Sequence, residues 1–424
     1  MTRKCRWFIA SLLTLLILGN PVFAAEKDLQ GKITVWSWGG ACLALELAGA
    51  RFVEKYPGVE IEFVSMGRGD VYDKMAVGFL SGSGLPDVVS LEDDRVQTYI
   101  AKFPNGFADL SDIIGPIKDD FIQSKLAAVT APDGKIMAFP WDAGPAGLLY
   151  RKDLFDAVGA NADNVKTWDD YIEVGKRILE LTDGKTKLIS VDMKSDDDIF
   201  RLLLNQLGTY YFDMDGNPVI GGDKAIQAMS LLKRMNDEGV IYNRDGYGAT
   251  LTGIQGELVA SIPYGSWYTG NIINSVPEQH GKWAVMRIPA FEAGGNTSAM
   301  LGGSALLVTN ASKNKEVALE FATFAMTDLD AVIEGFEKQT LLPGYLPAYD
   351  HTIFEEGVEA FGGQAIWKLF GEVNKDIPPL NYTANFAEAK ESVINAQARI
   401  LLRGADVEET LQELEREFEI KFGK

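Results

Sequence analysis

The sequence has very few residues that could build a disulfide framework or a metal centre. Its 424 residues include two cysteines, Cys5 and Cys42, and two histidines, His280 and His351. If the first segment is removed as an export signal, Cys42 has no partner, so no internal disulfide can form. The histidines lie in unrelated surroundings, without a second ligand at helical spacing, which argues against zinc. We therefore expect no metal and no cofactor.

Basic residues are also scarce. The chain has 40 Lys and Arg against 60 Asp and Glu, a formal net charge of −20. Such a surface repels nucleic acid and anionic lipid, so nucleic-acid-binding functions are disfavoured. We expect a soluble monomer without a nucleic-acid partner.

Long apolar runs are limited to the N-terminus, where residues 7–18 follow Arg3, Lys4 and Arg6. The run is too short to span a bilayer, and Gly19-Asn20-Pro21 breaks it. Small residues at 22–24 match a signal-peptidase site. We predict a signal peptide over residues 1–24, cleavage after Ala24 and a periplasmic protein, and neither cysteine is placed for lipid attachment.

Motifs for catalysis are incomplete. No Gly-x-Ser-x-Gly occurs, and Gly184-Lys185-Thr186 has Leu179 where a phosphate loop requires glycine. The segment from Asp213 to Gly216 resembles a calcium loop, but Lys224 stands where glutamate belongs. The sequence predicts that the protein is not an enzyme.

Tryptophans beside small polar residues are the most informative feature that is present. Each of four tryptophans adjoins Gly, Asp or Ser: Trp36, Trp38, Trp141 and Trp267. An aromatic face covers the C–H face of a sugar ring while polar neighbours bind its hydroxyls. Any single one fits a buried core equally well, but four together favour a binding cleft. The remaining tryptophans of the mature chain are assigned to the core (Trp168, Trp283) or left ambiguous with a slight preference for the cleft (Trp367).

Strands and helices alternate after the leader. Residues 33–36, 59–64 and 86–91 read as strands, with a helix between the first two, which indicates a mostly parallel sheet. Ligands collect at the carboxyl ends of such strands, where Trp36, Trp38, Glu92 and Asp93 fall. A second region begins near Gly144. Further elements expected there are helices near 223–239 and 407–418, a hairpin turn over 211–217 and a strand over 302–308.

Carboxylates accompany the aromatic residues. Glu92, Asp93 and Asp142 could form a glycosidase pair, but hydrogen bonding to hydroxyls explains them without a reaction. Residues 196–198, three consecutive aspartates, read as an acidic helix start or a solvated turn. Arg68 and Asp70 could line a cleft, and a salt-bridged loop fits them as well.

These segments together resemble the extracytoplasmic solute-binding proteins of carbohydrate ABC transporters, a family that includes the maltose-binding proteins, and in particular its lactose- and arabinose-type branch. The family pattern is carried by residues 52–58 and 150–155, and the branch pattern by the Trp-Ser-Trp, Leu-Glu-Asp-Asp and Pro-Trp-Asp segments at 36–38, 91–94 and 140–142. The resemblance implies an α/β fold of two lobes with a hinge and a central ligand cleft. It places residues 25–143 and 301–350 in the N-terminal lobe, and residues 144–300 and 351–424 in the C-terminal lobe.

The resemblance also implies the mechanism: a mono- or oligosaccharide is captured between open lobes, the lobes close, and a membrane permease receives it. The candidate binding residues are Trp36, Trp38, Glu92, Asp93, Trp141, Asp142, Tyr264, Trp267, Gly302, Gly303, Tyr345 and Trp367. Two alternatives remain open. A polyamine would also use aromatic faces with carboxylates, and a secreted glycosidase is less favoured.

Overall fold

The computed structural model describes residues 28–246 and 248–423. The predicted signal peptide and its cleavage after Ala24 lie outside these residues. Among the helices of the described part, none has the length and apolar character needed to cross a membrane.

The described chain contains nine strands and sixteen α-helices. The strands are β1 (Gln30–Ser37), β2 (Gly58–Ser65), β3 (Val88–Glu92), β4 (Phe139–Arg151), β5 (Lys187–Asp192), β6 (Ile241–Arg244), β7 (Val259–Gly265), β8 (Trp283–Arg287) and β9 (Met300–Val308). The helices are α1 (Gly39–Lys55), α2 (Arg68–Ser81), α3 (Asp93–Lys102), α4 (Ser111–Ile114), α5 (Gln123–Val129), α6 (Lys152–Ala157), α7 (Trp168–Leu181), α8 (Asp198–Gln206), α9 (Asp223–Asp237), α10 (Gly248–Gln255), α11 (Thr269–Ser275), α12 (Lys315–Thr327), α13 (Leu329–Gln339), α14 (Ile366–Val373), α15 (Phe386–Arg403) and α16 (Val407–Phe422).

The strands follow the order β2-β1-β3-β9-β4-β7-β5-β6, and β8 also pairs with β4. β1 is parallel to β2 and β3, and β5 is parallel to β6 and β7. β9 and β4 are antiparallel to their neighbours in the middle of this order. The predicted strands and the parallel β-α-β start are therefore confirmed. The prediction of a mostly parallel sheet is wrong for the sheet as a whole, because four of the eight described strand pairings, all of them made by β9 or β4, are antiparallel.

β4 connects the two halves of this arrangement. Its first part, Phe139 to Pro145, pairs with β9, and its second part, Ala146 to Tyr150, pairs with β7. The register with β9 shifts on either side of Asp142 and Ala143. The strand therefore passes from one half of the sheet to the other between Pro145 and Ala146.

Two hydrophobic cores lie on either side of this crossing, and they define an N-terminal and a C-terminal lobe. The first draws its buried residues from 29–139 and 305–331. The second draws mainly on 146–301 and 354–418. Phe336 and Leu342, which the predicted boundaries give to the N-terminal lobe, pack in the second core. The lobe boundaries themselves stay a prediction.

Several local predictions are confirmed by burial. Trp168 and Trp283 are almost completely buried in the second core, as predicted from the capped helix start at Trp168 and the strand at Trp283. The apolar stripe of α16, from Val407 to Phe418, is buried, and the Asp406 side chain accepts a hydrogen bond from the Glu409 N–H at the start of the helix. Residues 211–217 form a turn closed by an isolated bridge between Phe212 and Pro218 rather than a full hairpin.

Candidate ligand-binding cleft

Two adjoining cavities lie between the lobes, at the ends of β1, β3 and β9. We call the first, of about 280 Å³, the ionic chamber, because most of its lining side chains are charged or aromatic. The second, of about 510 Å³, is the amide chamber, because Asn274 and Gln339 lie along it. Arg68, Glu92, Trp267, Gly302 and Gly303 line both chambers. The chambers are therefore two parts of one cleft.

The N-terminal wall of the cleft is built where β3 ends and α3 begins. Glu92 forms an ion pair with Arg68 and accepts a hydrogen bond from the Tyr72 hydroxyl at 2.8 Å. Burial and the nearby Glu92 charge raise the pKa of Tyr72. Tyr72 in turn packs edge-on against Trp38, at 6.4 Å between ring centroids. The two rings and the carboxylate form one rigid polar-aromatic surface.

Asp93 is the most deeply buried carboxylate of this wall. It is 1% exposed and forms an ion pair with Lys125 of α5, which is completely buried. Lys125 also donates to the Ser304 carbonyl of β9 at 3.0 Å. Burial raises the pKa of Asp93 to about 6, although Lys125 lowers it. The second carboxylate oxygen, Oδ1, has no hydrogen-bond partner among the described residues.

The floor of the cleft is the crossing of β4 and β9. Asp142 is buried and accepts a hydrogen bond from the Ser304 N–H at 2.7 Å. Gly302 and Gly303 have φ angles of +79° and +120°, a region that glycine adopts without strain. A Cβ at Gly303 would lie 2.7 Å from the Asp93 and Lys125 side chains. Only glycine therefore fits between this ion pair and the floor.

The aromatic part of the C-terminal wall is a cluster formed by Tyr264, Trp267 and Tyr268. Trp267 packs edge-on against Tyr264 at 5.3 Å, and its indole N–H donates to the Leu301 carbonyl at 2.9 Å. The hydrogen bond fixes the orientation of the indole ring at the boundary between the chambers. Tyr264 donates its hydroxyl to Asp198, and burial raises its pKa.

The charged part of this wall is the Asp196–Asp198 run at the start of α8. Arg201 bonds Asp197 and Asp196 at 2.9 and 3.2 Å, and it reaches Asp94 of the N-terminal wall at 3.8 Å. Asp198 pairs with Arg244. Burial raises the pKa of Asp197 to about 6 although Arg201 lowers it. For Asp196, burial is outweighed by Lys390 and Arg201, so its pKa is lowered.

The cleft is close to electrical neutrality although the chain is strongly acidic. Each lining carboxylate of the ionic chamber has a cationic partner within 4 Å: Glu92 with Arg68, Asp93 with Lys125, Asp94 with Arg95 and Arg201, Asp196 with Lys390 and Arg201, and Asp198 with Arg244. Acceptors and donors consequently alternate along the walls. Such a surface is suited to groups that both donate and accept hydrogen bonds, and hydroxyls do both.

The structure brings most of the predicted site residues to the cleft. Those that line one or both chambers are Trp38, Glu92, Asp93, Asp142, Tyr264, Trp267, Gly302 and Gly303.

Four predicted residues lie elsewhere. Trp36 packs against the first core within β1. Trp141 and Tyr345 line a small cavity of about 30 Å³ with residues of α1, α12 and α13. Trp367 is 6% exposed and contacts Phe336 and Phe370 in the second core. None of the four is among the lining residues of either chamber.

Other lining residues were not among the predicted site residues. Asp196, Asp198, Arg201, Tyr382 and Lys390 come from three segments of the C-terminal lobe. The spacing of Asp197 and Arg201, four residues apart on one helix, was a signal for an ion pair. No local pattern indicates that these side chains face Glu92 and Asp93 across a cleft.

Comparisons with known proteins agree with this architecture. Residues 44–328 match the family described as "Bacterial extracellular solute-binding protein", which is more than half of the chain. The chain belongs to this family of bacterial extracellular solute-binding proteins.

Among its relatives, it is 30% identical over 403 residues to the lactose-binding protein of Rhizobium radiobacter, covering 93% of this chain and 94% of that protein. It is 26% identical to the arabinooligosaccharide-binding protein of Bacillus subtilis, with 92% of each chain covered. Its fold matches the ABC transporter associated binding protein from B. animalis subsp. lactis in complex with β-1,6-galactobiose, with a TM-score of 0.79 at 24% identity, covering 93% of this chain and 98% of that one. The two-lobed α/β fold with a central cleft is therefore confirmed.

Proposed function

We propose that this protein captures a mono- or oligosaccharide between its two lobes and delivers it to the permease of an ABC transporter. The observation that carries this proposal is the cleft itself, in which aromatic faces stand beside paired carboxylates and cations at the crossing of β4 and β9. Relatives named for lactose and arabinooligosaccharide binding support the same substrate class.

The chemistry of a sugar fits both components of the wall. Trp38 and Trp267 present ring faces and edges to the C–H surfaces of a pyranose. Glu92, Asp93 and Asp142 accept hydroxyl hydrogen bonds, and Arg68, Arg201 and Lys390 donate to hydroxyl oxygens. Gly302 and Gly303 allow the backbone of β9 to approach the ligand. These roles are part of the proposal, together with the C-terminal residues Asp196, Asp198 and Tyr382.

The charge balance favours a neutral ligand over a polyamine. A polycation needs an excess of negative charge in its site, whereas the carboxylates of the ionic chamber are matched by cations within 4 Å. Bringing a polyamine into the cleft would place its ammonium groups against Arg68, Arg201 and Lys390. We therefore infer that a hydroxyl-rich, uncharged molecule binds more tightly.

The two chambers also favour a ligand of more than one ring. Their volumes, about 280 and 510 Å³, lie on either side of the boundary formed by Trp267 and the Arg68–Glu92 pair. Small-molecule sites typically measure about 300–1,000 Å³, so the amide chamber alone reaches that size and the ionic chamber adds space beside it. One ring in each chamber would use both sets of polar groups.

A ligand screen tests the function directly. Melting temperature and tryptophan fluorescence are followed with lactose, β-1,6-galactobiose, arabinobiose, galactose, arabinose and spermidine, since a ligand of the folded state must raise its stability. We expect a disaccharide to give the largest shift and no product on prolonged incubation. A larger shift with spermidine would favour the polyamine alternative, and released monosaccharide would favour a glycosidase.

The location and partners belong to the same proposal. An export signal cleaved after Ala24 would place the protein in the periplasm, where it would act as a monomer that meets permease subunits of the transporter. A membrane fraction containing the cognate permease should bind the sugar-loaded protein more tightly than the free protein.

A further inference from the structure

Lys125 is a fully buried cation, and no role in ligand binding has yet been assigned to it. Its side chain is 0% exposed, and its ammonium group lies between Asp93 of α3 and the Ser304 carbonyl of β9. A buried lysine is costly unless it is paired and hydrogen-bonded. Retaining one directly beneath the cleft suggests a purpose other than stability.

The two oxygens of Asp93 lie in different environments. Oδ2 is bound by Lys125, whereas Oδ1 is buried, lacks a partner among the described residues, and belongs to a side chain that lines the ionic chamber. A buried carboxylate oxygen without a donor carries a desolvation penalty. Because Oδ1 is buried in this arrangement of the lobes, a ligand hydroxyl can reach it only when the walls of the ionic chamber move apart, and the hydrogen bond would then remove that penalty.

We propose that Asp93 Oδ1 accepts a hydrogen bond from one ligand hydroxyl and that Lys125 is the positioning residue that holds the Asp93 carboxylate against β9. The identity of the donor rests on the proposed function. The role of Lys125 rests on the buried contacts alone. Lys125 contributes no atom to the ligand and acts through Asp93.

The surroundings of Asp93 determine how it responds to pH. Besides Lys125 on α5, it faces Asp142 on β4, Asp94 on its own helix and Tyr382 of the C-terminal lobe. Burial raises the pKa of Asp93 to about 6, Lys125 lowers it, and the two aspartates raise it. Loss of the lysine charge should therefore move this pKa to a value above 6.

The first experiment uses the ligand-free protein. Urea unfolding is measured from pH 5 to pH 8.5 for wild type, Lys125→Met and the control Lys32→Met, which removes an exposed lysine of the same lobe. Because the folded-state pKa of Asp93 is higher in Lys125→Met, the stability gap to wild type should widen as the pH rises above about 6. A purely structural role for Lys125 gives a gap that does not change with pH, and that result overturns the positioning role.

The second experiment measures sugar affinity, with lactose and β-1,6-galactobiose as probes. Asp93→Asn keeps the shape of the side chain but removes the charge, and should weaken binding about 10- to 100-fold at pH 8. In wild type, affinity should fall as the pH drops through about 6. In Lys125→Met the fall should begin at higher pH, and in Asp93→Asn this step should be absent.

The double variant Asp93→Asn/Lys125→Met completes a double-mutant cycle for sugar affinity. If Lys125 acts through Asp93, the double variant binds no worse than Asp93→Asn alone. Wild-type affinity retained in Asp93→Asn would overturn the acceptor role while leaving the sugar-binding function intact. Absence of binding by wild type to every sugar tested would instead overturn the proposed function and the acceptor role together, and the ligand-free experiment would still decide the role of Lys125.

Discussion

The carboxylates of the cleft are held in fixed positions before any ligand arrives. Asp93, Asp196 and Asp198 each lie within 4 Å of a lysine or arginine, and the Glu92 carboxylate is held by Arg68 and Tyr72. Side chains held in this way lose little further conformational entropy on binding. The arrangement therefore favours affinity through preorganisation rather than through the number of polar groups.

The contribution of the Trp267 ring to ligand binding can be tested by removing it. It lines both chambers, so Trp267→Ala should weaken disaccharide binding by about 1.5–3 kcal/mol, the value of burying a large apolar side chain. Isothermal titration calorimetry measures the change. Trp36→Ala is the matched control, because Trp36 packs against the first core and should affect stability rather than affinity. Equal losses of affinity in both variants would contradict this placement.

Two substitutions at Asp142 distinguish a structural role of its carboxylate from a role in ligand binding. Its carboxylate accepts a hydrogen bond from the Ser304 N–H at 2.7 Å and also lines the amide chamber. If it accepts a ligand hydroxyl there, Asp142→Ala should weaken sugar binding by about 1–3 kcal/mol. Asp142→Asn keeps an oxygen for Ser304 and should recover most of the stability. Unchanged affinity in Asp142→Ala, measured by the same titration, would remove Asp142 from the site.

The alternation of side chains along β4 explains why Trp141 and Asp142, both predicted to bind the ligand, line different cavities. Neighbouring residues of a strand point to opposite faces. Asp142 faces the amide chamber, so Trp141 faces the small cavity on the other side. The polar and aromatic content of this segment is visible in the sequence, but the face on which each residue lies depends on the register shift beside Asp142, which is a property of the pairing with β9.

Other parts of the structure could be predicted because their signal is local. The apolar spacing of α9 and α16 and the strands β1 to β3 follow from periodicity. The core positions of Trp168 and Trp283 follow from a capped helix start and a strand. Trp367 and Tyr345 could not be separated from cleft residues in this way, because an aromatic residue near glycine fits either environment. The charged C-terminal wall depends on contacts between distant segments, and no local pattern carries that information.

A substitution at Gly303 tests how tightly β9 packs against the Asp93–Lys125 ion pair. A Cβ there would meet Asp93, Lys125 and the Asp142 carbonyl within 2.9 Å, at a φ of +120°. Gly134→Ala is the control, since its φ is +87° and a Cβ there meets no atom within 4 Å. Both variants carry a backbone penalty of about 1–3 kcal/mol, and Gly303→Ala should lose more stability by urea unfolding. Equal losses of stability in the two variants would show that the space around Gly303 can accommodate a Cβ.

Contacts across the cleft connect the lobes at the level of the whole molecule. The Thr98 hydroxyl of α3 donates to the Ala384 carbonyl at 2.9 Å, and Arg201 reaches Asp94 at 3.8 Å. These contacts exist only while the lobes are close together. They therefore contribute to the closed arrangement in addition to any ligand.

Thr98→Val removes one such contact with almost no change of shape. The variant should bind sugar more weakly by about 0.5–1.5 kcal/mol, the net value of one hydrogen bond, because closure gains less free energy. Small-angle scattering of the ligand-free protein should show a larger radius of gyration. Thr323→Val, which removes a hydroxyl bonded within its own helix, is the control. Identical affinity and scattering in both variants would exclude a role for Thr98 in closure.

The crossing of β4 and β9 also constrains how the chain acquires its structure. β3 pairs with β1 on one side and with β9 on the other, and β9 follows the whole central part of the second lobe in sequence. An N-terminal fragment ending before Met300 would leave an unpaired strand edge, which is prone to association with other chains. The sheet of the first lobe can be completed only after most of the second lobe has been synthesised, so β9 couples the folding of the two halves.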